Sequence, residues 1–316
     1  MNERRRTEPR CAVGADIGGT KTVAALVDTR GCVIQRATAG TPGSEGPDAI
    51  LATVTRLIDE VSAGAHPIGV GVGSAGVIDH RSGVVRSATS VLRDWAGTPV
   101  RERLSTATGL PVRVVNDVHA HALGEAWVGT AAGAESMLMV AVGTGVGASF
   151  VQSSAAWFGA HDAAGHLGHI PVAAAEGRPC VCGRVGHLEA VAAGPAICAL
   201  YAERTGEELP TVQEIVQRAG DGSADAAAVI AEAGRALGSA VGGAVNFLDP
   251  GVVVIGGGVA GAGELWWSPM EAALRDELLP ATADVPVSPS RVGTDAALAG
   301  AAGLVLRPAD ETEENR

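Results

Sequence analysis

Two polar residues stand where an apolar run meets a helical pattern. Asn116 and Asp117 follow the strand-like residues PVRVV, and the spacing of apolar residues in 117–127 predicts a helix. One interpretation is structural, because Asn and Asp side chains commonly cap helix N-termini. The other is chemical: Asp117 would accept the proton of a substrate hydroxyl as a general base, and Asn116 would orient a neighbouring hydroxyl. The spacing leaves both interpretations open.

A glycine turn with an acidic residue at its mouth is a second candidate site. In GADIGGTKT the turn offers backbone N–H groups to a phosphate, and strand-like residues rather than a helix follow it. Asp16 would repel a bare phosphate, whereas Mg²⁺ bridging its carboxylate to the phosphates would remove the conflict. This arrangement indicates phosphoryl transfer, with an ordinary hairpin turn as the alternative. Lys21 either meets a phosphate or lies at the rim of the turn.

Two further glycine turns end buried strands later in the chain. They are GTGVG at 143–147 and GGG at 256–258, and together with the first turn they could surround one nucleotide. The predicted nucleotide-binding residues are Asp16, Gly18, Gly19, Thr20, Lys21, Gly143, Thr144, Gly145, Gly256, Gly257 and Gly258.

A stretch rich in histidine and cysteine predicts a metal site. His169, Cys180, Cys182 and His187 have the order H-x₁₀-C-x-C-x₄-H, a set of four ligands suited to a closed structural zinc site. The glycines among them permit a short loop to wrap around the ion. His166 is a fifth candidate that a four-ligand site does not need. It is therefore either a packed or surface histidine or a residue with another role.

The bulk composition narrows the classes of function. The chain has 316 residues and a formal net charge of −12, which argues against nucleic acid and anionic membranes as partners. Five cysteines in no even framework indicate a reducing cytoplasm. The apolar runs are shorter than the ~20 residues of a membrane span, and the basic N-terminus lacks a signal-peptide core.

The elements that must position these residues form two related α/β halves. Each half opens with a strand, a glycine turn and a returning strand, in CAVGADIGGTKTVAALV and SMLMVAVGTGVGASFVQ. Helices are predicted at 47–63, 117–127, 187–204, 210–219, 224–246, 264–279 and 295–306. The expected division is a disordered tail at 1–10, a small domain of 11–117 with about 296–308, a large domain of 118–295 carrying a zinc-binding loop at about 169–187, and a tail at 309–316.

Taken together, the motifs resemble those of the ROK family of sugar kinases and repressors. They are DIGGTKT, VVNDVHAHALGE, GTGVG, GHLGHIPV, CVCGRVGHLE and VVVIGGG, and the resemblance runs from about residue 12 to 306. It implies an α/β fold of the two-domain actin-like ATPase (ribonuclease H-like) type with an interdomain cleft. Repressors of the family carry a DNA-binding domain before the first glycine turn, whereas only about ten residues precede that motif here. The resemblance therefore implies a kinase. Such a kinase binds a small-molecule sugar and ATP with Mg²⁺, carries a structural Zn²⁺ and forms a homodimer.

Carried over to matching positions, the resemblance implies Asp117 as the catalytic base and Asn116 as a sugar ligand. Gly76 and Glu189 would line the sugar pocket, and the three glycine turns would hold Mg-ATP. His169 would both bind zinc and touch the sugar, so that the zinc site braces the substrate loop rather than taking part in catalysis.

Two departures from the family pattern concern the zinc site and the substrate. His187 replaces the third cysteine of the usual zinc pattern, which leaves two Cys and two His. His166 replaces a glutamate that grips sugar hydroxyls, and an imidazole, which can both donate and accept hydrogen bonds, suits an acyl carbonyl better. The segments AGHLGH and GSAGVI are similar to those of N-acetylmannosamine kinases of sialic-acid catabolism.

The predicted activity is therefore ATP-dependent phosphorylation of N-acetyl-D-mannosamine at the 6-hydroxyl. Glucose and N-acetylglucosamine are the alternative substrates, and polyphosphate is the alternative donor. A sugar-sensing protein without turnover is the alternative from another class, and the presence of Asp117 with all three glycine turns argues against it.

Overall fold

The computed structural model describes residues 10–89 and 91–307, so the predicted tails, apart from Arg10, lie outside the described residues. Contacts divide the chain into two compact units. The first unit contains the chain up to Ala132, the short segment Phe158–Asp162 and the chain from Thr294 onward. The second contains Gly133–Trp157 and Ala163–Gly293.

The strands of the first unit bring the two predicted acidic residues to one sheet edge. The strands are β1 (Cys11–Ile17), β2 (Lys21–Asp28), β3 (Val33–Gly40), β4 (Val70–Ser74), β5 (Val77–Asp79), β6 (Val84–Ser87) and β7 (Val112–Asn116). Five of them form a sheet in the order β3-β2-β1-β4-β7, antiparallel from β1 to β3 and parallel across β1, β4 and β7. Asp16 near the end of β1 and Asp117 after β7 therefore lie at the same edge.

Three helices of the first unit follow its early strands. They are α1 (Pro47–Ser62), α2 (Val100–Thr108) and α3 (Asp117–Trp127). Helix α1 buries the six apolar residues whose spacing predicted it, and α3 has the predicted bounds. Helix α2 was not predicted, because it buries only Val100 and Leu104 and so has almost no periodic signal. The β5–β6 hairpin, which precedes α2, was missed as well.

The second unit repeats the sheet pattern of the first. Its strands are β8 (Ser136–Val142), β9 (Val146–Gln152), β10 (Ala155–Ala156), β11 (Val253–Gly256) and β12 (Val287–Pro289). They form a sheet in the order β10-β9-β8-β11-β12, antiparallel from β8 to β10 and parallel across β8, β11 and β12. The similarity between the two glycine turns in the sequence thus corresponds to one topology used twice.

The helices of the second unit pack into one apolar core with its sheet. They are α4 (Glu189–Ala192), α5 (Gly194–Thr205), α6 (Val212–Gly220), α7 (Ala224–Leu248) and α8 (Glu264–Glu277). The single helix predicted at 187–204 is two helices, because Pro195 has no N–H to donate to the Val191 carbonyl oxygen in a continuous helix, and Ala193 is extended. Helices α7 and α8 approach closely, since a Cβ on Gly238 would lie 2.0 Å from the Met270 carbonyl oxygen.

The last helix, α9 (Thr294–Leu306), packs on the first unit. A Cβ on Gly71 of β4 would lie 1.7 Å from the Ala301 carbonyl oxygen, and one on Gly300 would lie 1.9 Å from the Ala120 carbonyl oxygen of α3. Glycine at these positions lets α9 touch both the sheet and α3. This contact places α3 in the first unit, so the division by contacts falls at Ala132, whereas the expected domain boundary was near residue 117.

Among the described residues, no helix combines the length and the apolar character that crossing a bilayer requires.

Candidate functional site

Asn116 and Asp117 have separate tasks at the N-terminus of α3. Asn116 is the N-cap: its Oδ1 accepts hydrogen bonds from the backbone N–H groups of Val118, at 2.9 Å, and His119, at 3.4 Å. Its Nδ2 donates to the Gly76 carbonyl oxygen at 2.9 Å, which ties the strand end to the segment before β5. Because Asn116 caps the helix, the carboxylate of Asp117 is available for another role.

Asp16 and Asp117, which we call the acidic pair, interact electrostatically. Desolvation by the surrounding protein, together with the negative charge of Asp117, raises the pKa of Asp16 from 3.8 to about 7. The charges of His121 and Lys21 act in the opposite direction. Burial also raises the pKa of Asp117, although the N–H of Val118 donates to its Oδ1 at 3.0 Å. The protein therefore neutralises the acidic pair incompletely, as expected of a cation-binding position.

The first glycine turn closes as a tight hairpin between β1 and β2. The N–H of Gly18 donates to the Lys21 carbonyl oxygen at 3.1 Å, and Lys21 itself is exposed at the start of β2. Thr41 braces the turn, since its Oγ1 donates to the Gly18 carbonyl oxygen at 2.8 Å and its N–H donates to the Thr20 carbonyl oxygen at 3.0 Å. The turn is thus a hairpin by its hydrogen bonds, and its position beside Asp16 keeps the phosphate interpretation available.

Two residues of α3 that the sequence analysis missed lie behind Asp117. His121 and Glu125 follow it at intervals of four residues, which places all three side chains along one face of the helix. His121 Nε2 lies 3.7 Å from Glu125 Oε1, and the Thr130 N–H donates to Glu125 Oε2 at 2.7 Å. The charge of His121 lowers the pKa of Asp117. The four-residue spacing was the signal that could have identified both residues.

The second and third glycine turns lie side by side in the second unit. Gly143 to Gly145 connect β8 to β9, with the Gly143 N–H donating to the Gly145 carbonyl oxygen at 2.9 Å. Strand β11 runs parallel to β8 and ends at Gly256. A Cβ on Gly257 would lie 2.2 Å from the Val142 carbonyl oxygen, so only glycine permits this approach of the third turn to the end of β8. Thr144 and Gly258 complete the predicted set in these two turns.

Glu189 connects the second turn to the segment that carries the predicted sugar-binding histidines. Its Oε2 accepts a hydrogen bond from the Val146 N–H at 2.8 Å. The same oxygen would lie 2.6 Å from a Cβ on Gly145 and 3.1 Å from one on Gly168. The carboxylate is therefore held between the turn and the residue next to His169.

The four predicted metal ligands form a compact group in the second unit. The ligand atoms of His169, Cys180, Cys182 and His187, which we call the His/Cys cluster, all lie within 4.8 Å of one another. Nδ1 of His169 lies 3.6 Å from Cys180 Sγ, and Nδ1 of His187 lies 3.2 Å from Cys182 Sγ. Two sulfur and two nitrogen donors at this spacing fit tetrahedral zinc.

Backbone hydrogen bonds shape the loop around the His/Cys cluster. The Cys180 N–H donates to the Arg184 carbonyl oxygen at 2.7 Å, and the Gly183 N–H donates to the Cys180 carbonyl oxygen at 2.9 Å. Burial raises the pKa of the Cys180 thiol and lowers the pKa of His169. Burial thus favours neutral side chains, and a bound metal would reverse this for the thiol by stabilising its thiolate.

His166 stands beside the His/Cys cluster without joining it. Its ring stacks on the His169 ring with centroids 6.0 Å apart, and its Nδ1 contacts the Ala163 carbonyl oxygen at 3.0 Å. The structure therefore separates the two histidines of GHLGH as the ligand count suggested. The predicted residues form two groups: the acidic pair, Asn116, Gly76 and the first turn in the first unit, and the histidines, cysteines, Glu189 and the other two turns in the second.

Comparisons with known proteins identify the family. The ROK family pattern matches residues 12–308. The glucokinase of Halalkalibacterium halodurans is 31% identical over 96% of this chain and 97% of its own length. The N-acetylmannosamine kinase of Salmonella arizonae is 34% identical over 92% of this chain and 96% of its own length.

A solved structure agrees with this assignment. The crystal structure of a ROK family glucokinase from Streptomyces griseus, in complex with glucose and AMPPNP, superposes with a TM-score of 0.81 at 28% identity. It covers 93% of this chain, and 98% of that chain is matched. The expected actin-like ATPase fold is thereby confirmed. The chain belongs to the ROK family and is a sugar kinase of that family.

Proposed function

We propose that this protein transfers the γ-phosphoryl group of ATP to the 6-hydroxyl of N-acetyl-D-mannosamine, with Asp117 as general base. The observation that carries the proposed reaction is the position of Asp117 at the start of α3, where Asn116 serves as the helix cap instead of it. A carboxylate that is not needed as the cap can accept a hydrogen bond from a substrate hydroxyl.

In this proposal, Asp117 holds the 6-hydroxyl for in-line attack and takes its proton as the new O–P bond forms, while the bond from the γ-phosphorus to the bridging β-phosphate oxygen breaks and ADP leaves. The transition state of phosphoryl transfer is loose, so orienting the hydroxyl contributes as much as removing the proton. Asn116 and the backbone at Gly76, already joined by a hydrogen bond, orient a second hydroxyl of the sugar. Because Asp117 is buried and the bound sugar would cover it, water is kept from the base, which limits transfer of the phosphoryl group to water.

Asp16 fits a magnesium ion. A carboxylate oxygen is a ligand that Mg²⁺ prefers, and Asp16, whose negative charge is disfavoured by burial and by the nearby charge of Asp117, is the residue assigned to hold the ion. When bound, the ion neutralises charge on the β- and γ-phosphates. The relative crystallised with AMPPNP supports a nucleotide as donor. The residues assigned to the nucleotide are those of the three glycine turns.

The His/Cys cluster is assigned to one structural zinc ion. Its four donors leave no open coordination position, so the ion would brace the loop rather than activate water. His169 would serve twice, through Nδ1 toward the metal and through its remaining edge toward the sugar, with Glu189 beside it.

A homodimer is the proposed assembly, on the family resemblance, and light scattering of the purified protein tests it.

The choice of sugar rests on His166. An imidazole next to the zinc ligand can donate a hydrogen bond to an acyl carbonyl, which a glutamate cannot do when ionised. The 34% identity to an N-acetylmannosamine kinase supports this choice. The 31% identity to a glucokinase favours glucose as the second candidate.

A coupled assay of ADP release across N-acetylmannosamine, N-acetylglucosamine, mannose and glucose tests the proposal. The highest kcat/KM is expected for N-acetylmannosamine. A preference for glucose would overturn the proposed substrate while leaving a sugar kinase. Release of orthophosphate without any phosphosugar would overturn the proposed transfer itself.

A further inference from the structure

The third glycine turn continues into a short 3₁₀ helix that ends at Ala262, and we call Gly257–Ala262 the glycine segment. In a 3₁₀ helix, residues three apart lie on the same side. Val259 and Ala262 are 2% and 5% exposed and pack into the core of the second unit. A Cβ on Gly258 or Gly261 would meet no described atom within 4 Å. The glycine segment therefore has one side fixed in the core and one open side of bare backbone.

The start of the glycine segment has backbone donors that the fold leaves unused. Among residues 10–89 and 91–307, the N–H groups of Gly257 and Gly258 have no hydrogen-bond acceptor. Strand β11, just before them, is paired at its end, since the Ser290 N–H donates to the Ile255 carbonyl oxygen at 2.8 Å. Adjacent unpaired N–H groups are suited to the oxygen atoms of a phosphate group.

Two side chains from neighbouring helices hold carbonyl groups of the glycine segment. Trp267 Nε1, on α8, donates to the Ala260 carbonyl oxygen at 2.8 Å. Gln213 Nε2, near the start of α6, donates to the Gly258 carbonyl oxygen at 3.4 Å, a longer and weaker contact. Because each peptide group is planar, holding its carbonyl oxygen restricts the rotation of the whole group. The indole of Trp267 is therefore the stronger restraint on the backbone of the segment.

Helix α8 supports the side chain of Trp267 firmly. The helix packs closely on α7, since a Cβ on Gly234 would lie 2.5 Å from the Trp266 carbonyl oxygen. The N–H groups of Trp266 and Trp267 both donate to the Gly263 carbonyl oxygen at 3.0 Å, which closes the bend between the glycine segment and α8. The half-buried ring of Trp267 also meets the Trp266 ring edge-on at 5.5 Å. These contacts fix the direction of the indole N–H.

We propose that Trp267 is a positioning residue for the nucleotide: its indole N–H holds the Ala260 carbonyl group and so keeps the glycine segment in the shape that binds a phosphate group. All the contacts involved lie within the second unit. The inference rests on the proposed function, in which the third glycine turn binds ATP. Trp267 touches neither the nucleotide nor the sugar in this role. Loss of its hydrogen bond should therefore weaken nucleotide binding and leave sugar recognition unaltered.

The test is the variant Trp267→Phe, which keeps an aromatic ring in the half-buried position and removes the indole donor. We expect the KM for ATP to rise about fivefold, with the sugar KM and the zinc content within about twofold of the unmodified protein. Calorimetric titration with AMPPNP should show the same loss of affinity without turnover. An unchanged KM and affinity for the nucleotide would overturn the inference.

The adjacent Trp266 offers a matched control. It is fully buried, and its Nε1 has no hydrogen-bond partner among the described residues. Trp266→Phe therefore makes the same change of ring without removing a hydrogen bond. It should lower the midpoint of thermal unfolding, because it leaves a cavity in the core, and keep the KM for ATP within about twofold of the unmodified protein. An equal rise of that KM in both variants would assign the effect to lost packing in α8 and contradict the role of the hydrogen bond.

The same measurements separate this inference from the proposed function. If the unmodified protein binds AMPPNP but phosphorylates none of the four sugars, the proposed transfer fails, whereas titration of the two tryptophan variants still decides the role of Trp267. If it phosphorylates a sugar and Trp267→Phe binds AMPPNP normally, only the inference fails. An unmodified protein that binds no AMPPNP in the presence of Mg²⁺ would overturn both the nucleotide assignment of the third turn and the inference.

Discussion

The acidic pair and the His/Cys cluster are held in place by different means. Asp16 and Asp117 sit on regular elements, a strand end and a helix N-terminus, and their charges oppose one another. The His/Cys cluster sits in a loop with two isolated backbone bridges, Pro171 to His187 and Pro179 to Val185. Regular elements can thus hold two like charges at one end of a sheet, whereas the loop is held by backbone bridges and, in the proposed function, by a metal ion bound to its side chains.

The largest effect should come from the acidic pair. Asp117→Asn keeps the shape of the side chain but removes the base, so kcat should fall by about 10²- to 10⁴-fold while sugar binding remains measurable by calorimetry. Asp48→Asn, at an exposed carboxylate on α1 paired with Arg103, is the control and should keep full activity. An Asp117→Asn enzyme with normal kcat would refute the proposed base. It would also show that the acidic pair is not held in place for catalysis.

Loss of the proposed metal ion should have the next largest effect. Cys182→Ser removes one ligand of the His/Cys cluster. The zinc content found by metal analysis should therefore fall from about one ion per chain toward none, and the midpoint of thermal unfolding should fall by about 5 °C. The sugar KM should rise more than the KM for ATP, because His169, a proposed sugar contact, is itself a member of the cluster and stacks on His166.

Cys32→Ser is the matched control, since Cys32 is also exposed and lies in the first unit. It should change neither zinc content nor KM. Zinc-free protein with unaltered unfolding and sugar binding would contradict the bracing role of the cluster.

A smaller and more selective change is expected at His166. His166→Glu restores the residue type of the usual family pattern, and the ratio of kcat/KM for N-acetylmannosamine to that for glucose should fall about tenfold. The exposed His66 of the first unit, changed to Glu in the same way, should leave the ratio unaltered. Equal ratios in all three proteins would assign His166 a merely structural role.

The smallest expected effect is on the free energy of unfolding, which the acidic pair lowers at high pH. A pKa of Asp16 raised to about 7 means that the folded state binds its proton more tightly than the unfolded chain does. This contribution to stability is complete below about pH 4 and is lost as the pH rises through about 7. In magnesium-free buffer, Asp16→Asn should therefore raise the free energy of unfolding by about 1–2 kcal/mol at pH 8 and change it little at pH 4.

For Asp28, the expected pH dependence of stability has the opposite sign. Burial favours its protonated form, but hydrogen bonds from the backbone of Cys32 and Arg30 outweigh that effect and lower its pKa. Its charge stabilises the fold above the unfolded pKa, so Asp28→Asn should lower stability at pH 8. Denaturation by urea at both pH values measures the two variants, and a destabilised Asp16→Asn at pH 8 would contradict the repulsion within the acidic pair.

Strong periodicity and ligand spacing were enough to predict much of this molecule from its sequence. The six buried apolar residues of α1 and the bounds of α3 follow from local patterns, because a helix repeats its exposed and buried faces within one segment. The set His169, Cys180, Cys182 and His187 follows from residue type and count, since its members lie within about twenty residues of one another.

Only the tertiary structure decided the features that join distant segments. Helix α2 and the β5–β6 hairpin have little pattern of their own, and tertiary packing defines them. The proximity of Asp16 to Asp117 depends on the strand order, and the contact of Asp162 with His80 joins residues 82 positions apart. Burial and charge act through space, whereas a sequence pattern reports only on neighbours along the chain. For this reason the sequence by itself indicated the ROK family and the residue types for phosphoryl transfer. Which distant residues interact with one another was visible only in the folded chain.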